Sequence, residues 1–264
     1  MLSLFSGVST WVGAAVVAVS GSPVGALAVG IAGGAAALGL YVAAVRLLER
    51  RQVTELARED ALRNLSKGVC GGLVLFTLTI GLIAVLGGYR ITGWGSGGAA
   101  IAAFGVMFGV AVSEELLFRG VLFRIVEERA GTWGSLVVSA LLFGGLHLAN
   151  PNATVWGAVA IAVEAGALLA AAYVATRTLW LPIGLHLGWN WAEAGLFGTA
   201  VSGSGKTGPG LLDSVLSGPT ALTGGAFGPE GSVLAVLICG LAAAGFMVLA
   251  RRRGLVRPRR TARS

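Results

Sequence analysis

Long uncharged stretches decide most about this chain. The segment 231–250, GSVLAVLICGLAAAGFMVLA, contains no charged residue. Runs of similar character recur at roughly 4–20, 24–48, 68–88, 98–125, 133–149, 154–176 and 181–198. A helix needs roughly 18–20 apolar residues to cross a bilayer. Only a helix or a closed barrel satisfies its own backbone there. The expected fold is therefore all-α, a polytopic membrane bundle of about eight (seven to eight) transmembrane helices. Composition agrees: 12% of residues are charged and 55% hydrophobic, against about 25% charged in a soluble domain. The 43 glycines suit close helix contact in a membrane, as in GIAGGAAALG (30–39).

Charge placement orients the bundle. Arg46, Arg50, Arg51, Arg58, Arg63 and Lys67 cluster between the second and third spans. Arg124 and Arg129 follow the fourth, Arg177 follows the sixth, and seven arginines fill the tail after 250. The loops between hold only Arg90 and Lys206. Alternating spans put every basic cluster on one side, which the positive-inside rule identifies as the cytoplasm. The expected location is a cell membrane, multi-pass, with the basic loops and C-terminal tail cytoplasmic. If 4–20 does not cross, the N-terminus lies outside and the rest is unchanged. That segment lacks the basic start of a signal peptide and reads as part of the membrane domain.

The same pattern accounts for the net charge of +7 and argues against nucleic acid as a partner. Cys70 and Cys239 lie in apolar segments and form no disulfide framework or metal pattern. AVSGSGKT (200–207) resembles a loosened phosphate loop. A true one joins a strand to a helix, whereas here a membrane helix precedes and GPG follows. The reading is a flexible outer loop over 199–230, with no nucleotide.

Against this background the polar residues stand out. SEELLFRG (113–120) puts Glu114, Glu115 and Arg119 in an apolar span. Inserting three charges costs on the order of 8 kcal/mol before pairing. Glu115 and Arg119, spaced i,i+4, meet on one helix face. Glu114 is left to find a histidine, a water or another helix. FGGLH places Phe143 one turn from His147, and HLGWN places His186 one turn from Asn190. Both histidines of the chain are thus at membrane depth. Three helices facing one cavity would gather a carboxylate, two imidazoles and an amide.

That set suits hydrolysis. A buried Glu acts as general base on water, a His orients the water or relays its proton, and His with Asn donates to an oxyanion. A divalent metal such as zinc on Glu114, His147 and His186 is the alternative. A proton-coupled transporter, or a non-catalytic immunity or binding protein, also fits intramembrane Glu and His. No internal repeat of the kind many carriers show is visible. Glu164 belongs to no motif and reads as structural. Glu193, one turn beyond Asn190, reads as lining the cavity mouth.

EExxxR, FxxxH and HxxxN in this order resemble the CAAX-protease and bacteriocin-processing (CPBP, Abi or Rce1-like) intramembrane protease family. ERRQVTEL (49–56) looks like the stretch preceding that family's core. The resemblance covers about 98–198. It divides a single membrane domain, 1–264, into N-terminal helices with a basic loop (1–97), a catalytic core (98–198), the outer loop (199–230), a last helix (231–250) and a basic tail (251–264). It implies a glutamate-dependent endopeptidase acting on a peptide or membrane-protein substrate in the lipid bilayer. By matching positions Glu114 activates water with help from His147, His186 and Asn190 form the oxyanion site, and Glu115 and Arg119 support the geometry, with Phe143 beside them. The family's older metalloprotease label competes with the water-activating reading. Prenylated substrates belong to eukaryotic members.

Overall fold

The computed structural model describes residues 22–205, 208 and 210–259. The expected span at 4–20 lies outside them. Ser22 caps helix α1 (Pro23–Ala44) by accepting from the Gly25 amide, and Pro23 occupies the first turn, where its missing N–H costs nothing. The helix runs on as a π-helical turn, Val45–Glu49. After a 3-10 turn (Thr54–Leu56) comes α2 (Ala61–Val85), then strand β1 (Tyr89–Trp94). Helix α3 (Gly97–Glu115) continues into a π-helical stretch, Leu116–Phe123, and directly into α4 (Arg124–Leu146).

The helical run Gly97–Ala149 has 53 residues, about 80 Å at 1.5 Å per residue and far longer than one crossing. It is broken at Gly131, whose φ of 69° and ψ of 177° interrupt the helix. Glycine alone takes this backbone without strain. The separate spans expected at 98–125 and 133–149 are thus one run with a kink. Beyond it lie α5 (Val155–Ile161), a π-helical turn (Ala162–Ala167), α6 (Leu168–Thr176) and α7 (Trp180–Trp191), which is followed by another π-helical turn, Ala192–Leu196. Strand β2 (Leu212–Leu216), a short helix α8 (Thr220–Thr223) and α9 (Val233–Arg252) complete the chain.

Among the described residues five helical runs are long and apolar enough to span a bilayer: Pro23–Glu49, Ala61–Val85, Gly97–Ala149, Val155–Thr176 and Val233–Arg252. The protein is a polytopic helical membrane protein. Two expectations are corrected. The fold is not purely α, because β1 and β2 pair antiparallel from Tyr89 opposite Leu216 to Trp94 opposite Leu212, with an irregularity between Ile91 and Gly93. The segment 199–230 is not simply a flexible loop. It supplies β2 and α8, and it buries Phe227 and Glu230.

Small residues set the helix spacing. Helices α2 and α7 meet through Gly68 and Gly72 on one side and Gly184 and Gly188 on the other. A Cβ on Gly184 would lie 2.9 Å from both the Gly68 Cα and the Val69 amide nitrogen, and nearer still to the Leu65 carbonyl. Gly184→Ala is expected to destabilise by about 1–3 kcal/mol, since two backbones must separate. Gly81→Ala in α2, where a Cβ meets nothing within 4 Å, should be neutral or stabilising by up to about 1 kcal/mol. Thermal unfolding of the two variants in detergent checks the contrast.

At one end of α1 a polar knot ties the basic loop to the bundle. Arg51 donates to Glu49 and, through both terminal nitrogens, to Glu55, while Arg124 donates to both oxygens of Glu49. The Tyr41 hydroxyl lies between the Glu55 carboxylate and the Gly120 carbonyl, 2.9 Å from the latter. Burial alone would raise the Glu55 carboxyl, but the hydrogen bonds from Arg51 and Tyr41 hold it below its ordinary value. The sign follows from linkage: this stabilisation is present above the ordinary carboxylate value and lost as pH falls through the depressed one. Glu55→Gln should flatten the acid limb of melting temperature against pH and leave the alkaline limb unchanged.

Candidate active site

The π-helical stretch Leu116–Phe123 begins immediately after Glu115. Such bulges recur at functional sites. Within it Arg119 is fully buried and donates to Glu115 at 2.7 Å. Its other terminal nitrogen donates to the carbonyls of Ala165 and Gly166, at 2.5 and 2.9 Å. Those two carbonyls belong to the π-helical turn after α5. The guanidinium carbon also sits 5.0 Å from the centre of the Phe143 ring. One side chain thus joins three helical segments and places the Phe143 ring against the Glu115–Arg119 pair.

His186 faces both glutamates across the bundle. Its Nδ1 is 3.1 Å from Glu115 Oε1, and its Nε2 is 3.9 Å from Glu114 Oε2. The first is a hydrogen bond, which a carboxylate accepts, so Nδ1 carries the proton. The second is too long for a direct hydrogen bond and short enough for one water to touch both atoms. Glu115 is fully buried, whereas the Glu114 side chain is 33% exposed. Glu114 is therefore the more accessible of the two carboxylates.

His147 ends α4 and opens a 3-10 turn, His147–Ala149. Its Nδ1 lies 2.7 Å from the Phe143 carbonyl. A carbonyl only accepts, so Nδ1 again holds the proton and the neutral ring presents a lone pair at Nε2. Phe143 packs between the imidazoles, its ring centre 5.0 Å from that of His147 and 6.2 Å from that of His186. Asn190 is buried one turn beyond His186. His186 and Asn190 line a cavity offering about 20 Å³ to the centre of a water molecule, room for about one water, whereas Glu114, His147 and Phe143 are not among its walls.

Glu164 and Glu230 share the walls of this cavity. Among the described residues Glu164 has no hydrogen-bond partner for either carboxyl oxygen, and the fully buried Glu193 has only the Glu230 carboxyl beside it. Glu193 is not a wall of the cavity and does not mark its mouth. Glu230 is the residue that sequence reasoning missed. It accepts from Trp189 Nε1 at 2.8 Å and from the Ser202 amide and hydroxyl, both at 2.7 Å. These contacts pin the 199–230 segment onto α7. No short motif announces this contact; the signal in the sequence was a Glu immediately ahead of the apolar run 231–250.

The two kinds of buried acid should respond oppositely. Glu164→Leu removes a carboxyl with no partner and should leave stability unchanged or raised. Glu230→Ala strands one buried donor, Trp189 Nε1, and two half-buried ones on Ser202, and should cost about 2–3 kcal/mol. Melting temperatures in one detergent check both.

The zinc alternative fits poorly. Among the described residues no three His, Cys, Asp or Glu side chains are gathered as metal ligands. No curated protein and no solved structure matches the chain. Residues 96–192, which contain all three motifs, match the family model described as Type II CAAX prenyl endopeptidase Rce1-like, and this stretch is a domain of that family.

Proposed function

We propose that the protein is an intramembrane endopeptidase that hydrolyses a peptide bond with a Glu114-activated water. The observation that carries this reading is the 3.9 Å separation of Glu114 Oε2 from His186 Nε2, two motif residues from helices far apart in sequence. A water in that gap gives its proton to Glu114, and its oxygen attacks the scissile carbonyl carbon. The developing oxyanion accepts from His186 Nε2–H and the Asn190 amide. His186 already gives its Nδ1 proton to Glu115, so donation from Nε2 requires the imidazolium, which two adjacent carboxylates stabilise. Glu114 then passes its proton to the departing nitrogen, the C–N bond breaks, and an acid and an amine leave. His147, with Nε2 free, assists the water. Glu115 and Arg119 hold His186 in place.

The same reading divides the run Gly97–Ala149 at Gly131 into two crossings and counts α7 with its π-helical turn as a further, short one. Basic loops and the tail then share the cytoplasmic side, and the core 98–198 carries the chemistry within a single membrane domain. The partners are the bilayer and a peptide or membrane-protein substrate. Comparison of membrane-derived peptides in cells producing the wild-type chain or Glu114→Ala tests the proposal. Peptides with new termini should appear only with the wild type. Identical peptide sets at equal protein levels would reject it.

A further inference from the structure

The end of α1 carries a second feature, independent of the peptidase reading. Arg46, Arg50, Arg51 and Arg58 line one open cleft of about 850 Å³, with Val53 and Leu56 among its apolar walls. Arg51 is engaged by Glu49 and Glu55. Arg46, Arg50 and Arg58 are exposed and have no hydrogen-bond or ion-pair partner among the described residues. The nearby carboxylates are taken: Glu49 by Arg51 and Arg124, Glu55 by Arg51 and Tyr41, and Asp60 by Arg63. Glu59 is exposed and is not a wall of the cleft. Three unpaired guanidinium groups therefore share a concave surface that has no carboxylate among its walls.

The position of the cleft selects its ligand. The span Pro23–Glu49 ends here, so the cleft lies at the level where lipid headgroups begin. Leu47 and Leu48, in the same turn as Arg46, are 74% and 71% exposed and face outward as acyl-chain neighbours would require. A planar, forked guanidinium matches phosphate oxygens. A ligand with phosphate oxygens beside the arginines and hydrocarbon beside the leucines is an anionic phospholipid. We propose that this cleft is a binding site for the phosphate headgroup of an anionic phospholipid, bound from the bilayer rather than from solution.

Ordinary attraction of basic loops to anionic membranes is the rival, and charge-matched variants separate the two. The full chain is placed in nanodiscs of phosphatidylcholine with a minor fraction of phosphatidylglycerol, and retained lipid is counted by native mass spectrometry. The wild type should keep phosphatidylglycerol in preference to phosphatidylcholine, and inorganic phosphate should not displace it. R46Q/R50Q/R58Q should lower that retention about tenfold or more. R63Q/R129Q/R252Q, which removes equal charge outside the cleft, should leave it within about twofold of wild type. Equal loss in both triple variants, or no preference in the wild type, overturns the site. Displacement by inorganic phosphate, or by a peptide with a free terminal carboxylate, overturns the assignment to lipid. All six arginines are exposed, and melting temperatures of both variants check that folding is intact.

Discussion

Replacing Glu114 with Gln is expected to reduce turnover of a cleaved peptide by at least about a hundredfold, with little change in melting temperature. The substitution keeps the shape and removes the base. Stability should hold because the side chain is one-third exposed and stands 3.9 Å from His186, beyond direct hydrogen bonding. KM should move little, since Glu114 is asked to act on water and not on the peptide. His186→Ala and Asn190→Ala should also lower kcat, by about 10²–10³ if each supplies one oxyanion donor. His186→Ala carries an added stability cost, because Glu115 loses a partner inside the bundle. A variant at Glu114 that retained wild-type kcat would overturn the mechanism whatever the fate of the others.

The distribution of what sequence revealed follows from the range of each interaction. Apolar runs are local, so the helices at 24–48, 68–88 and 231–250 were visible. The Glu115–Arg119 pair is likewise local, one helical turn apart, and forms at 2.7 Å. Three short motifs flagged Glu114, His147, His186 and Asn190, but periodicity could not say which groups face which. That His186 bonds Glu115 and merely approaches Glu114 depends on the angle between α3 and α7. The Arg119 bonds to Ala165 and Gly166 depend on a π-helical turn whose sequence, AVEAGA, belongs to no motif. The pairing of β1 with β2 joins two short strands separated by nearly half the chain, and neither alternates long enough to be noticed. Glu230 was passed over for a related reason: it sits in a segment rich in Gly, Ser and Pro, where an acid is ordinarily solvated.

Breaking the buried pair should give the largest loss of stability. Arg119 and Glu115 are both 0% exposed, and removal of one partner from such a pair typically costs about 3–5 kcal/mol. For Arg119→Ala the loss is compounded, because the Ala165 and Gly166 carbonyls also lose their donor. Lysine should not rescue the variant, since it lacks the fork that reaches Glu115 and the two carbonyls together. Glu115→Leu with Arg119→Met removes both charges and should recover much of the melting temperature lost by either single change. Activity should not return with it. His186 would keep its fold but lose the carboxylate that takes its Nδ1 proton, and with it the orientation of Nε2 toward Glu114. A double variant that is stable and inactive would assign the pair to positioning the histidine. A double variant that is stable and fully active would show that the pair serves only to hold the helices together.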